Sequence, residues 1–69
     1  MKLYFENSKG VERVIAEVAN EKEAYKEINK FCEERNFKIY YVRTWMRNKY
    51  DKVYDVGSHS EFFICRTNE

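Results

Sequence analysis

The sequence predicts an α+β domain of ββαβββ order, an antiparallel four- to five-stranded sheet with one helix packed on one face. Three observations carry this. Two β-patterned runs flank a glycine-ended turn near the N-terminus, one amphipathic helical stretch follows a capping signal, and the chain from Phe37 onward is β-rich with no second helical period.

KLYFE (2–6) and ERVIAEVA (12–19) enclose NSKG, whose Gly10 suits the positive φ of a hairpin loop. In the second run Val14, Ala16 and Val18 alternate with Arg13, Ile15 and Glu17, so the first set is expected to face the core. Asn20 with Glu23 three residues later forms a capping-box pattern and predicts the helix start. Ala24, Ile28, Phe31 and Cys32 recur at helical spacing, and Asn36 marks the stop. That apolar stripe needs a cover, and the rest of the chain offers only sheet.

The β-rich part reads as KIYYVRTWMRN, KVYDVG and EFFICR, a meander with loops at NKYD (48–51) and GSHS (57–60). Gly57 fits either a turn or a bulge inside one long bent strand. If Tyr40, Val42 and Thr44 face the helix, Tyr41, Arg43, Trp45 and Arg47 share the opposite, open face. The same parity sends Tyr54, Val56, Phe62 and Ile64 inward and Phe63 and Cys65 outward. Ile39 and Trp45 favour the reverse register of the third strand, so its buried face stays open on sequence alone.

Sixty-nine residues make a single domain, 1–69, whose core must be efficient, and a 17% aromatic content supplies it with large apolar side chains. Chains this short hold roughly 3 to 5 kcal/mol unless stapled or oligomeric. Cys32 and Cys65 are too few for a disulfide framework, and MKLYFENSKG turns polar after five residues, so a cytoplasmic location with reduced thiols is expected. No apolar run approaches the ~18 residues that span a bilayer, which excludes a membrane-spanning helix.

The formal net charge of +1 argues against both a nucleic-acid mimic and a strongly basic binder. Its distribution is uneven, because residues 38–52 carry five basic groups against one acid and residues 53–69 carry one against three. The stretch 38–50 interleaves four of those bases with Tyr40, Tyr41, Trp45 and Tyr50. The open face would then present Tyr41, Arg43, Trp45 and Arg47, with Phe63 nearby, more aromatic surface than a monomer usually leaves wet.

Three uses of that patch compete. It closes a second small core or a homodimer seam with Arg43 stacked over a ring; it is the centre of a protein-binding surface, where Trp, Tyr and Arg are enriched; or it stacks unpaired bases of a single-stranded nucleic acid while the arginines hold phosphates. The protein-binding use is the leading expectation.

Catalytic and metal motifs are weak. GSHSE (57–61) places the only histidine between two serines, but lacks the second glycine and following helix of a nucleophile elbow. Ser58 and Ser60 also point away from His59 in an extended chain, and a bend held by their side chains is the simpler account. His59, Cys32 and Cys65 are too scattered to be read as metal ligands, and Gly10 and Gly57 do not form a phosphate loop. A non-enzymatic protein without cofactor or metal is expected.

Taken together, MKLYFENSKG, VIAEVANEKEAYKEIN and YDVGSHSEFF resemble a group of small uncharacterised proteins encoded by phages and prophages of low-GC Gram-positive bacteria. YDVGSHSEFF (54–63) is the most specific of the three segments. The resemblance implies a small phage product acting in the host cytoplasm and transfers no role to any residue; with the patch above, the expectation is an accessory protein that binds a host or phage protein.

Overall fold

A computed structural model of the chain describes residues 1–57 and 60–67. Strand β1 (Lys2–Glu6) and strand β2 (Glu12–Glu17) form the N-terminal hairpin. Its loop is organised by Asn7, whose side-chain oxygen accepts from the amides of Lys9 and Val11 at 2.9 and 3.0 Å. Gly10 closes that loop with φ +80°, a conformation that disfavours a Cβ.

Helix α1 (Glu21–Glu34) follows. Asn20 caps it by accepting from the Glu23 amide at 3.0 Å, while the Glu23 carboxylate accepts from the Ala19 amide at 2.9 Å. The capping box is thus formed, one residue wider than its simplest version. At the other end Asn36 adopts φ +56°, and Phe37 N–H reaches back to the Cys32 carbonyl at 2.8 Å, a Schellman-type stop. The Phe37 ring then packs on Phe5 and Phe31, fixing the direction in which the chain leaves.

Strands β3 (Arg43–Met46), β4 (Asp51–Asp55) and β5 (Phe62–Arg66) form the meander. All five strands join one antiparallel sheet in the order β2-β1-β5-β4-β3. The first and last strands therefore pair at the centre, and β2 and β3 are the edges. Fourteen helical residues extend roughly 21 Å, close to the ~19 Å across five strands. The connection from one edge to the other can thus be a single helix laid over one face.

That helix-side face holds the main core: Leu3, Val18, Ala24, Ile28, Phe31, Cys32, Tyr54, Val56, Phe63 and Cys65. Phe5, Phe31 and Phe63 meet with ring centroids 4.8 to 5.4 Å apart. The opposite face carries a smaller cluster of Tyr4, Val53 and Ile64, with Phe62 packed beside it.

The ββαβββ order holds, while several expectations of side-chain direction do not. Phe63 and Cys65 face the helix, whereas Phe62 and Ile64 lie on the open face. The cause is the β4–β5 register, Tyr54 opposite Phe63 and Val53 opposite Ile64, which pairs even with odd positions. Gly57 (φ +87°) and Ser60 (φ +63°) both leave extended backbone, so parity does not carry through as along one bent strand. In β2 the register shifts against Leu3 and Tyr4. This bulge brings Ile15 as well as Ala16 against the core and leaves Val14 exposed opposite Tyr4. Finally, the third strand is only four residues long. The preceding segment is irregular; Ile39 packs on the core, while Tyr40 and Val42, expected inside, are exposed.

Candidate interaction surface

Because β3 and β4 pair with Thr44 opposite Tyr54 and Trp45 opposite Val53, the side chains of Arg43 and Trp45 stand on the face away from the helix. Arg47 joins them there, just past the strand. Its amide donates to the Asp51 carbonyl at 2.9 Å to close the β3–β4 loop, whose Asn48 side chain accepts from the amides of Tyr50 and Asp51. Tyr41 lies before the strand and is exposed, its ring centroid 5.9 Å from the Arg43 guanidinium carbon.

Trp45 is 38% exposed, with its ring meeting Phe62 edge-on at 6.0 Å and the Arg43 guanidinium 5.5 Å from its centroid. Tyr41, Arg43, Trp45 and Arg47 are therefore on one surface, as the sequence predicts. Phe63 is not among them: it is 1% exposed, inside the main core.

The arginines are engaged within the molecule. Arg43 donates to Asp55 at 2.8 Å, its side chain 67% exposed against 7% for the carboxylate. The other Asp55 oxygen accepts from the Gly57 amide at 2.9 Å, which links the patch to the β4–β5 turn. A Cβ on Gly57 would stand 2.9 Å from that of Tyr40, so this glycine also allows the tyrosine pair to lie against the turn.

Toward the sheet centre, Arg47 donates to Glu6 at 3.0 Å and approaches Glu12 and Asp51 at 3.3 and 3.5 Å. Arg66 donates to Asp51 at 2.7 and 2.9 Å and to Glu12 at 3.1 Å through two nitrogens, with its guanidinium 4.5 Å from the Tyr4 centroid. Hydrogen bonding to Arg66, chiefly, holds the Asp51 carboxyl below the usual carboxylate range. Bonding to Glu6 and to Asp51 respectively raises the Arg47 and Arg66 guanidiniums further above theirs.

Sequence reasoning passes over Arg66, Asp51 and Phe62. Arg66 and Asp51 lie opposite each other in β5 and β4, and Phe62 lies under Trp45. Only the β4–β5 register brings them into this face, and that register depends on the number of residues in the turn. Also unexpected is the apolar margin along β3, where Tyr40, Val42 and Met46 are exposed beside Tyr41 and Trp45.

Other candidates separate from this surface. Ser58 and His59 lie outside the described residues, and Ser60 occupies the turn. Cys32 and Cys65 are buried free thiols whose pKa values burial pushes up. Lys52 pairs with Glu21 across the helix side, where the Tyr54 hydroxyl donates to the same carboxylate at 3.1 Å. Among the described residues, no three His, Cys, Asp or Glu side chains are grouped to hold a metal, and no helix is long and apolar enough to cross a membrane. Comparison with protein-family models, with curated proteins and with solved structures finds no match to this chain.

Proposed function

We propose that this chain is a non-enzymatic binding protein whose target is another protein, and that it serves as a phage-encoded accessory factor in the host cytoplasm. The observation that carries the binding reading is Trp45: a partly exposed indole seated on Phe62, flanked by a guanidinium that also faces exposed Tyr41, on an edge strand whose other side exposes Val42 and Met46. Large rings held by a rigid sheet lose little side-chain freedom on binding, which favours them at the centre of protein contacts. The phage context rests on the resemblance of YDVGSHSEFF and the N-terminal segments alone.

The single-stranded nucleic-acid reading has less support. Counterion release requires cations free to neutralise phosphates, but Arg43, Arg47 and Arg66 meet Glu6, Glu12, Asp51 and Asp55 on the same face. A phosphate would have to displace these carboxylates while near them.

The test is affinity capture from host extract with the wild-type and Trp45→Ala chains, followed by titration of each with the purified captured protein. A target whose affinity falls at least about tenfold on Trp45→Ala, with circular dichroism unchanged, supports the reading. Equal affinity of the two chains, or tight salt-sensitive binding to oligonucleotides instead, overturns it.

A further inference from the structure

The two edges of the sheet are managed differently. On β2, charged Glu12, Arg13 and Glu17 and a register shift against β1 break the regularity of the exposed backbone, devices that discourage edge-to-edge pairing. On β3 the residues between Arg43 and Arg47 are Thr44, Trp45 and Met46, every strand residue is exposed, and the pairing with β4 runs without a shift.

The hydrogen-bonding groups that β3 presents outward follow from that pairing. Arg47 and Asp51 form a hydrogen-bonded pair at the loop, and such pairs alternate along an antiparallel ladder. Trp45 and Arg43 thus direct their amides and carbonyls toward β4, whereas Thr44 and Met46 direct theirs away from the sheet. No described strand lies beyond β3 to receive them.

We infer that two copies of this chain join through antiparallel pairing of their β3 strands, with Thr44 on the two-fold axis, to make one continuous sheet. A strand paired with its own copy must match outward groups with outward groups, which restricts the pairing to registers centred on a residue. Four such registers engage most of the strand. Centred on Arg43, the pairing puts Arg43 against Arg43; on Trp45, Arg43 against Arg47; on Met46, Arg43 against Lys49. Like charges directly opposite one another destabilise a ladder.

Only the Thr44 register avoids this. It sets Arg43 opposite Trp45 of the second copy and Tyr41 opposite its Arg47, both ring-and-cation pairs on the open face. On the helix side it sets Val42 opposite Met46 of the second copy, and each side chain is exposed in the single chain. Two-fold symmetry makes every such pair occur twice. The pairing stands on the geometry of β3 and does not depend on the protein-target reading, although it would place two Trp45 patches side by side.

Sedimentation equilibrium of the purified chain over the micromolar to millimolar range tests it. The wild type is expected to dimerise reversibly. Thr44→Pro removes an amide that the ladder directs away from β4 and should yield a folded monomer, as Pro is tolerated on an edge strand. Val42→Glu and Met46→Lys, each alone, should weaken the dimer about tenfold. The double variant should recover it, because the introduced acid and base then face each other across the axis. A wild type that stays monomeric, a folded Thr44→Pro chain that dimerises undiminished, or a double variant no tighter than the singles overturns the inference. Should Thr44→Pro fail to fold by circular dichroism, the charge pair still decides.

Discussion

Replacing Arg66 with Met tests whether the arginines of the open face belong to the fold. The substitution keeps an unbranched stem over Tyr4 and removes the donors that reach Asp51 and Glu12. Asp51 is only 4% exposed, so its carboxylate cannot turn to water for compensation. Hydrogen bonds to charged groups contribute about 1.5 to 3 kcal/mol. Asp51 keeps contacts with Arg47 and Asn48, and Glu12 is partly wet, so a net loss of about 2 kcal/mol is expected at neutral pH. For a domain of this size that lowers the Tm by about 8 to 16 °C. Arg43→Met, at a largely exposed pair, should cost less than about 1 kcal/mol.

Acid provides an internal control on that value. The Asp51 carboxyl is held below its ordinary pKa, so its contribution is complete above about pH 4 and is lost as pH falls through the lower native value. The wild type should therefore lose stability on acidification faster than Arg66→Met, and the gap between them should narrow. Thermal denaturation followed by circular dichroism at pH 7 and near pH 3 measures both. A loss below about 0.5 kcal/mol at pH 7, the scale of a surface pair, or a gap independent of pH, would refute the reasoning.

Three further outcomes are expected. Phe63→Ala removes a ring packed on Phe5 and Phe31 and should cost about 3 to 5 kcal/mol, enough to unfold the chain at 37 °C, whereas Trp45→Ala should stay folded; urea denaturation of both distinguishes the core residue from the surface one. Gly57→Ala forces a Cβ against Tyr40 at φ +87° and should lose about 2 kcal/mol, seen as a lower denaturation midpoint with an unchanged slope. The Cys32 and Cys65 thiols, buried and with raised pKa values, should react with a thiol reagent only as fast as the chain opens, and rapid modification at neutral pH without denaturant would contradict their placement.

Much of this fold is legible because its signals are local. Asn20 and Glu23 mark the helix start, Asn36 its end, and Gly10 the first hairpin, each through bonds made within a few residues. What is illegible depends on counting across irregular backbone. The turn between Val56 and Phe62 decides the parity of β5, so Phe63 and Phe62 exchange faces when it is read as extended. One bulged residue in β2 does the same to Val14 and Ile15. Alternation alone leaves the buried face of β3 open, and it is the short β3–β4 loop, pairing even positions with even, that puts Trp45 and Arg43 on the open face. The segment from Lys38 to Val42 has strand-like composition yet lies outside the ladder, with the Tyr40 amide donating to the Val56 carbonyl just past β4. Pattern alone does not show that Phe37 and Ile39 take its share of the core.

The open face has two unlike halves that meet at Arg47, and the division bears on any partner. Over β1 and β5, Arg47 and Arg66 lie among Glu6, Glu12 and Asp51, with Arg66 above Tyr4, so polar groups there already satisfy one another. A ligand approaching that half must break charge-assisted bonds before it gains any. Over β3, by contrast, the exposed rings are Tyr41 and Trp45, and the Arg43–Asp55 ion pair leaves most of the arginine in water. Burial of apolar surface is the dominant favourable term in association, so contact should begin at Trp45 and spread outward along β3 rather than inward across the sheet. The ion network then acts as a boundary for the proposed contact: Arg66 covers Tyr4, and the face left for a partner is the edge where Thr44 and Met46 also direct their backbone outward.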